Sequence, residues 1–466
     1  MKYLLTAYFL TWAAIPFILL AQKRPVSTLA WVWTVILFPF IGPIAYLLFG
    51  LDRLTRRRQC HHDAITSRCQ ARGRKVGPKV DIPPRDAPLF QTLECLAEIP
   101  VSSADEVRLL PDTTTFFPAL HEWIEKAKHH VHVQFFVFEE DEPGCALRDR
   151  LIAAARRGVI VRLLLDPLGC AHTSRSFFRQ LEEAGGSIAW FRSLNPLRSR
   201  FCLHLRNHRK LQIIDGRVAF VGGMNVGPNY TGDNPKIGRW RDLQMELHGP
   251  IVSALQEVFA EDWEFAAEEE ITGDGYYLAG DQAGTYPAQV VIGGPDLAVE
   301  AMADSFAAVL HHAGKRAWVS AGYFVPNDLL LSALRLAANR GVDVRLVSTE
   351  KSDHPYLAEI GRSYYEQLLR AGVRIFEYRP GMHHAKAMLI DDELVMVGSA
   401  NCDNRSMRLN FELNVLVRCA SAARALEEFF VEDFGDSREV TLNEHLSRPF
   451  HRRLLEAIVR PLAPTV

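Results

Sequence analysis

Hydrophobic and polar positions divide the chain into three regimes. Residues 3 to 22 and 25 to 51 carry no charged side chain, and only Lys23 and Arg24 separate them. Each run is long enough to cross the roughly 30 Å hydrocarbon layer as a helix, and the short polar break would fold the pair into an antiparallel hairpin. Residues 1–52 are therefore predicted to be a membrane anchor of two helices. The first apolar run exceeds the roughly 7 to 15 residues of a cleaved signal, and a second run follows at once. Pro39, Gly42 and Pro43 interrupt the second run, which helices in lipid tolerate when neighbours satisfy the freed carbonyls.

Residues 53–104 change character. Arg53, Arg56, Arg57, Arg58, Arg68, Arg72, Arg74, Lys75 and Lys79 face only Asp52 and Asp63, so this stretch is predicted to be a basic juxtamembrane linker and lead-in. Positive charge beside a span marks the cytoplasmic side, and it can hold anionic headgroups at about 1 kcal/mol per cation.

Beyond residue 105 the pattern becomes α/β. Short apolar runs at Val131 to Phe138, Val159 to Leu165 and Ser187 to Phe191 predict strands, separated by helices that stop at Arg156-Arg157-Gly158 and Ala184-Gly185-Gly186. The same order returns with strands at Ala317 to Val325, Val342 to Val347 and Val373 to Tyr378, and with stops at Asn339-Arg340-Gly341 and Arg370-Ala371-Gly372. Apolar strands alternating with helices imply mostly parallel, covered sheets. Two duplicated α/β domains are expected, 105–275 and 276–466, with their boundary in the acidic stretch Glu268 to Gly284. The tail, Glu444 to Leu462, forms an amphipathic helix with Leu446, Leu454, Leu455, Ile458 and Leu462 on one side, and this side is expected to pack against the second domain.

After the last strand of each set comes the same motif. His208-Arg209-Lys210, Asp215, Gly222 and Asn225 match His384-Ala385-Lys386, Asp391, Gly398 and Asn401 with no gap to adjust. In His-x-Lys both side chains share one face of a strand, and two cations in a buried run are costly without an anion. Imidazole, ammonium and an Asn amide together suit a phosphate.

Bulk numbers narrow the field. The 466-residue chain has a net charge of -2, so no global field supports a nucleic-acid partner. Its eight cysteines include no Cys-x2-Cys pair, which points to reduced thiols rather than a zinc site or disulfide framework.

Two copies of this motif in one chain resemble the phospholipase D superfamily. The flanking runs Arg206-Asn207-His208-Arg209-Lys210, Trp240-Arg241-Asp242, Asn401 to Ser406 and Leu409-Asn410-Phe411-Glu412, together with the amino-terminal hairpin, look like bacterial cardiolipin synthases. The resemblance implies two phospholipase D-like domains facing each other about a pseudo-twofold axis, with one active site between them. His208 and His384 would flank one phosphorus atom, His208 as nucleophile and His384 as acid and base. Lys210, Lys386, Asn225 and Asn401 would hold the non-bridging oxygens, and Ser399, where the first half has Gly223, would add a one-sided hydroxyl contact. Asp242, downstream of His208, and Glu412, downstream of His384, match the positions of partners that orient the imidazoles. Asp215 and Asp391 belong to the catalytic motif but lie past the buried run, where tying loops together is the expected task.

Lysines, amides and imidazolium neutralise a phosphate without a metal, and no carboxylate cluster suited to magnesium is present; no cofactor is expected. The implied reaction is phosphatidyl transfer between two phosphatidylglycerol molecules at a bacterial cytoplasmic membrane, with a membrane-anchored hydrolase of phosphodiesters as the alternative. The expected partners are anionic phospholipids and the bilayer.

Overall fold

The computed structural model describes residues 12–20, 25–46, 80–191, 205–230, 233–234, 237–278, 283–297 and 299–465. The chain divides into two compact units, one of residues 1–64 with 193–204 and one of residues 65–192 with 205–466. The first contains the helices Ala14–Leu20, Pro25–Leu37 and Ile41–Ala45. Ile18, Val35 and Tyr46 bury against one another, while Phe17, Leu20, Leu37 and Ile41 face outward. Among the described residues no helix is long and apolar enough to cross a membrane; parts of both apolar runs, residues 3–11, 21–22 and 47–51, lie outside the described residues, so the expected hairpin is seen only in part. The second apolar run breaks between Leu37 and Ile41, where Pro39 has no N–H to continue the ladder. Lys23, Arg24, the basic residues 53–79 and most of the 193–205 segment lie outside the described residues.

In the larger unit each half builds its own sheet. The strands are β1 Ser102–Ala104, β2 Glu106–Leu110, β3 His130–Phe135, β4 Ile160–Leu165, β5 Ser187–Trp190, β6 Leu211–Ile214, β7 Val218–Gly222 and β8 Gln244–His248. They continue with β9 Tyr286–Gly293, β10 Arg316–Ala321, β11 Asp343–Thr349, β12 Arg374–Tyr378, β13 Lys386–Ile390, β14 Leu394–Gly398, β15 Glu412–Arg418 and β16 Ser437–Val440. The first sheet runs β2-β8-β7-β6-β3-β4-β5 and the second β1-β9-β15-β14-β13-β10-β11-β12-β16. Six consecutive strands, β8 to β5 in the first order and β15 to β12 in the second, correspond one to one, so the duplication read from the motif extends through six strands of each sheet.

Identical local signals make the copies. Asp141 accepts from Gly144 N at 2.9 Å and Asn327 from Leu330 N at 2.8 Å, each capping the helix after the first parallel strand, an interaction worth about 1 kcal/mol. Both helices end in glycine with φ of +87° at Gly158 and Gly341, a conformation a side chain would strain.

The sheets are mixed rather than mostly parallel. β3, β4 and β5 are parallel, as are β10, β11 and β12, but the strand after each His-x-Lys is antiparallel to both neighbours. The tight turn that follows it sets the pairing with the next strand. Asp215 and Asp391 take φ of +53° and +50°, and so short a connection can join only antiparallel strands.

The inner faces of the two sheets share one hydrophobic cluster: Leu211, Ile213, Val221 and Met245 meet Leu389, Val395, Val397 and Val415, with Trp263 and Phe430 from the covering helices. The lead-in also joins the second half. β1 pairs with β9, and Leu89, Phe90 and Leu93 of helix Ala87–Ala97 enter the cluster of Phe306 and Val309.

The tail departs from expectation. In helix Phe450–Val459 only Glu456 is buried, whereas Leu446, Leu454, Leu455 and Ile458 are exposed. The glutamate, clamped by Arg448, takes the inward side, so most of the apolar side faces solvent.

Candidate active site

The two motif strands begin at the seam between the halves. His208 N donates to Phe411 O at 2.9 Å, and His384 N donates to Arg241 O at 2.7 Å. The residues that follow these acceptors are Glu412 and Asp242, so each histidine docks beside the carboxylate strand of the opposite half. His208 Nδ1 lies 3.0 Å from Glu412 Oε1, and His384 Nδ1 lies 2.6 Å from Asp242 Oδ2. The sequence count associates Asp242 with His208 and Glu412 with His384; the folded chain crosses the pairs. A carboxylate on Nδ1 leaves each Nε2 available to a ligand.

The lysines close the same space. Lys210 Nζ donates to His208 O at 2.6 Å and lies 5.5 Å from the Phe136 ring centre; Lys386 Nζ donates to His384 O. All four side chains are buried. Burial lowers the His208 pKa, Glu412 opposes the shift, and Lys210 and Lys386 reinforce it. His384 is pushed down to about 4 by burial and by Lys386, against the pull of Asp242. Burial takes Lys210 to about 7 and Lys386 to about 8. Burial would raise Asp242 and Glu412, but their histidines and nearby lysines outweigh it and hold both below the usual carboxylate values. Lys386 acts on His208 and Lys210 on His384, so the motifs form one electrostatic centre, with buried cations poised for an anion.

Asn225 Oδ1 accepts from Val137 N at 3.1 Å and its Nδ2 donates to Tyr230 Oη at 3.3 Å. Among the described residues Asn401 Oδ1 has no hydrogen-bond partner although it is buried, an expensive condition that a bound hydroxyl would relieve. Ser399 requires a correction. Its hydroxyl donates to Glu412 Oε2 at 2.5 Å and accepts from Leu413 N at 3.0 Å, so its single proton serves the carboxylate rather than a phosphate. At the matching position Gly223 leaves room for Asp242, whose Oδ1 would sit 2.2 Å from an added Cβ.

Asp215 and Asp391 are likewise placed away from the reacting groups, seven residues along the strand from the histidines, or roughly 20 Å in extended chain. Asp215 accepts from the backbone N–H groups of Lys128, His129 and His130 at 2.8, 2.8 and 2.9 Å. Asp391 accepts from those of Lys315 and Arg316 at 2.7 and 3.1 Å and from Arg85. They staple the start of β3 and β10, as their place past the buried run suggests.

Several residues of the site carry no signal in the motif. Buried Asp262 accepts through Oδ2 from Asn207, Arg209 and Gln134 at 2.8, 2.9 and 2.8 Å; Asp433 holds Arg241 and His383, both at 2.8 Å. These aspartates fix the residues flanking each histidine. Aromatic rings make the walls: Phe136 at 5.0 Å from the His208 ring, and Trp240, Tyr323 and Tyr230 at 5.0, 5.9 and 6.3 Å from His384. Among the described residues no cluster of His, Cys, Asp and Glu could hold a metal ion.

The family described as "Cardiolipin synthase, PLD-like domain" matches residues 120–263 and 306–434, covering both motifs. The "Phospholipase D-nuclease N-terminal" family matches residues 9–50. A cardiolipin synthase of Geobacillus kaustophilus is 34% identical over 456 residues, 96% of this chain and 90% of that protein. The major cardiolipin synthase of Bacillus subtilis is 34% identical over 485 residues, 99% and 98% of the two chains. Among solved structures, phosphatidylserine synthase of Haemophilus influenzae superposes with a TM-score of 0.60 at 12% identity, over 81% of this chain and 98% of that one, which speaks to the fold alone. With its duplicated sheets and paired motifs matched over nearly its full length, this chain belongs to the cardiolipin synthase family of the phospholipase D superfamily.

Proposed function

We propose that the protein is a cardiolipin synthase, joining two phosphatidylglycerol molecules into cardiolipin and glycerol. The observation that carries the mechanism is the crossed pair of imidazoles, each with Nδ1 on a buried carboxylate of the opposite half. Neutral His208 attacks phosphorus through Nε2, and the phosphorus–oxygen bond to the leaving glycerol breaks as His384 gives that oxygen its proton. The terminal hydroxyl of a second phosphatidylglycerol then attacks the phosphohistidine. His384 takes its proton, and the bond to His208 breaks. One phosphodiester replaces another, so no nucleotide is consumed.

Lys210 and Lys386 hold the non-bridging oxygens as point charges, and the amides of Asn225 and Asn401 donate to them; preorganised groups of this kind dominate such catalysis. His384, near 4 without a ligand, gains its proton when the phosphate anion offsets the neighbouring ammonium charges. The uncharged runs 3–22 and 25–51 and the outward Phe17, Leu20, Leu37 and Ile41 support a membrane-embedded amino terminus. Retention of the full chain in alkali-washed membranes is expected; its release would remove that part.

The test of the reaction is purified protein with labelled phosphatidylglycerol. Cardiolipin and glycerol in equal amounts are expected; phosphatidate as the sole product would establish a hydrolase.

A further inference from the structure

We infer that helix Phe450–Val459 is a docking surface for an anionic lipid bilayer, placed beside the mouth of the active site. At 100° per residue, Phe450, Leu454 and Ile458 form one line along this helix and Leu455 flanks it. These side chains are 76%, 45%, 63% and 47% exposed, respectively. The buried Glu456 lies on the opposite side, held by Arg448 Nη2 at 3.0 Å. Arg453 and Arg460 border the apolar side along one edge and Arg452 along the other, all three exposed. Glu456 is the only acid between residues 450 and 460, so the exposed surface carries positive charge alone. An apolar stripe bordered by arginines is how a helix lies in the plane of an anionic membrane.

The location adds a second argument. Helix Pro355–Arg362 packs beside this helix and follows directly on Asp353 and His354. Asp353 accepts from Tyr323 Oη at 2.7 Å. The Tyr323 ring lies 5.9 Å from His384 and 6.1 Å from His354, which lies 5.9 Å from the half-exposed Tyr356. A line of rings thus leads from a reacting imidazole to the surface next to the amphipathic helix. A second copy of the chain is a poorer occupant, because a twofold contact through this helix would bring its arginine borders against their own mates. The lipid substrate proposed above enters only in choosing the occupant.

The test is amide hydrogen exchange of the full chain, compared between neutral detergent and nanodiscs containing phosphatidylglycerol. Exchange over 450–459 should slow about tenfold in the nanodiscs. The double variant Leu454→Glu/Ile458→Glu changes only exposed side chains. It should lose that protection and about tenfold of its turnover on vesicles, while keeping turnover on short-chain phosphatidylglycerol in detergent. Equal exchange in detergent and nanodiscs would overturn the inference, as would protection in detergent that accompanies a dimer mass. Protection by phosphatidylglycerol without cardiolipin formation would leave the docking surface in place and remove the proposed reaction, so the two failures are distinguishable.

Discussion

The crossed pairing makes a prediction that pairing within each half would reverse. Asp242 lies in the first half but holds His384 of the second at 2.6 Å, fully buried. Asp242→Asn keeps the shape and removes the charge that stabilises imidazolium at His384. A buried charge-assisted hydrogen bond contributes about 1.5–3 kcal/mol, or roughly 10- to 150-fold in rate. The loss should fall only on steps in which His384 exchanges a proton. With a phosphatidyl p-nitrophenol ester, whose leaving group departs without one, Asp242→Asn should release a full burst of p-nitrophenol at nearly the normal rate. Transfer to the acceptor alcohol should then be slow by the factor above. Glu412→Gln, acting on His208, the proposed nucleophile, should slow the burst itself. Stopped-flow absorbance separates the two, and circular dichroism checks that both variants are folded. If Asp242→Asn slows the burst as much as Glu412→Gln does, the assignment of nucleophile and acid through crossed carboxylates is wrong.

Other consequences concern pH, stability and the corrected serine. Burial keeps His208 below 6.5, so the acid limb of kcat/KM lies below that value, where protonation removes the attacking lone pair. The alkaline limb follows Lys210 near 7 and Lys386 near 8, whose charge is lost as pH rises, weakening phosphate binding; a flat profile from about pH 5 to 9 would count against the centre. Burial raises the Asp391 pKa, but hydrogen bonds from Lys315, Arg85 and Arg316 hold it below the usual carboxylate range. Its stabilisation is therefore present above the unfolded value and lost as pH falls through the folded one. Asp391→Ala should destabilise by about 2–4 kcal/mol, seen as a lowered melting temperature with activity per folded molecule unchanged. Ser399→Ala should slow phosphohistidine formation by roughly 5- to 10-fold, the effect of about 1 kcal/mol, leaving KM unchanged; a rise in KM alone would restore the phosphate contact.

The duplicated motif and the alternation of strands and helices along the chain were legible because each strand is a short apolar run and the helices stop at matching signals, Arg-Gly after the first of each half and Ala-Gly after the second. Hydrophobic spacing also placed Asp215 and Asp391 beyond the buried strand. The pairing of His208 with Glu412 was not legible, since spacing along a chain says nothing about which half a strand faces once two sheets dock. Nor was the task of Ser399. A serine opposite a glycine suggests a free hydroxyl until it is seen bonded to Glu412, at the position where, in the other half, Asp242 fills the space that a side chain at 223 would need. The parallel-sheet expectation failed because an apolar run carries no direction; the left-handed turn at Asp215-Gly216 supplies it.

The exchanged carboxylates bear on how such a chain can be taken apart. Severed from its sister, either lobe would hold one imidazole lacking its acid and one acid lacking its imidazole, both stripped of the neighbour that made their burial tolerable. Two such fragments could rebuild a working centre only by embracing, as a single ancestral unit would have had to do with its own twin. Joined in one polypeptide the lobes need not stay equal: glycine lies beneath one carboxylate and serine beneath the other, so the two rings sit in unlike settings.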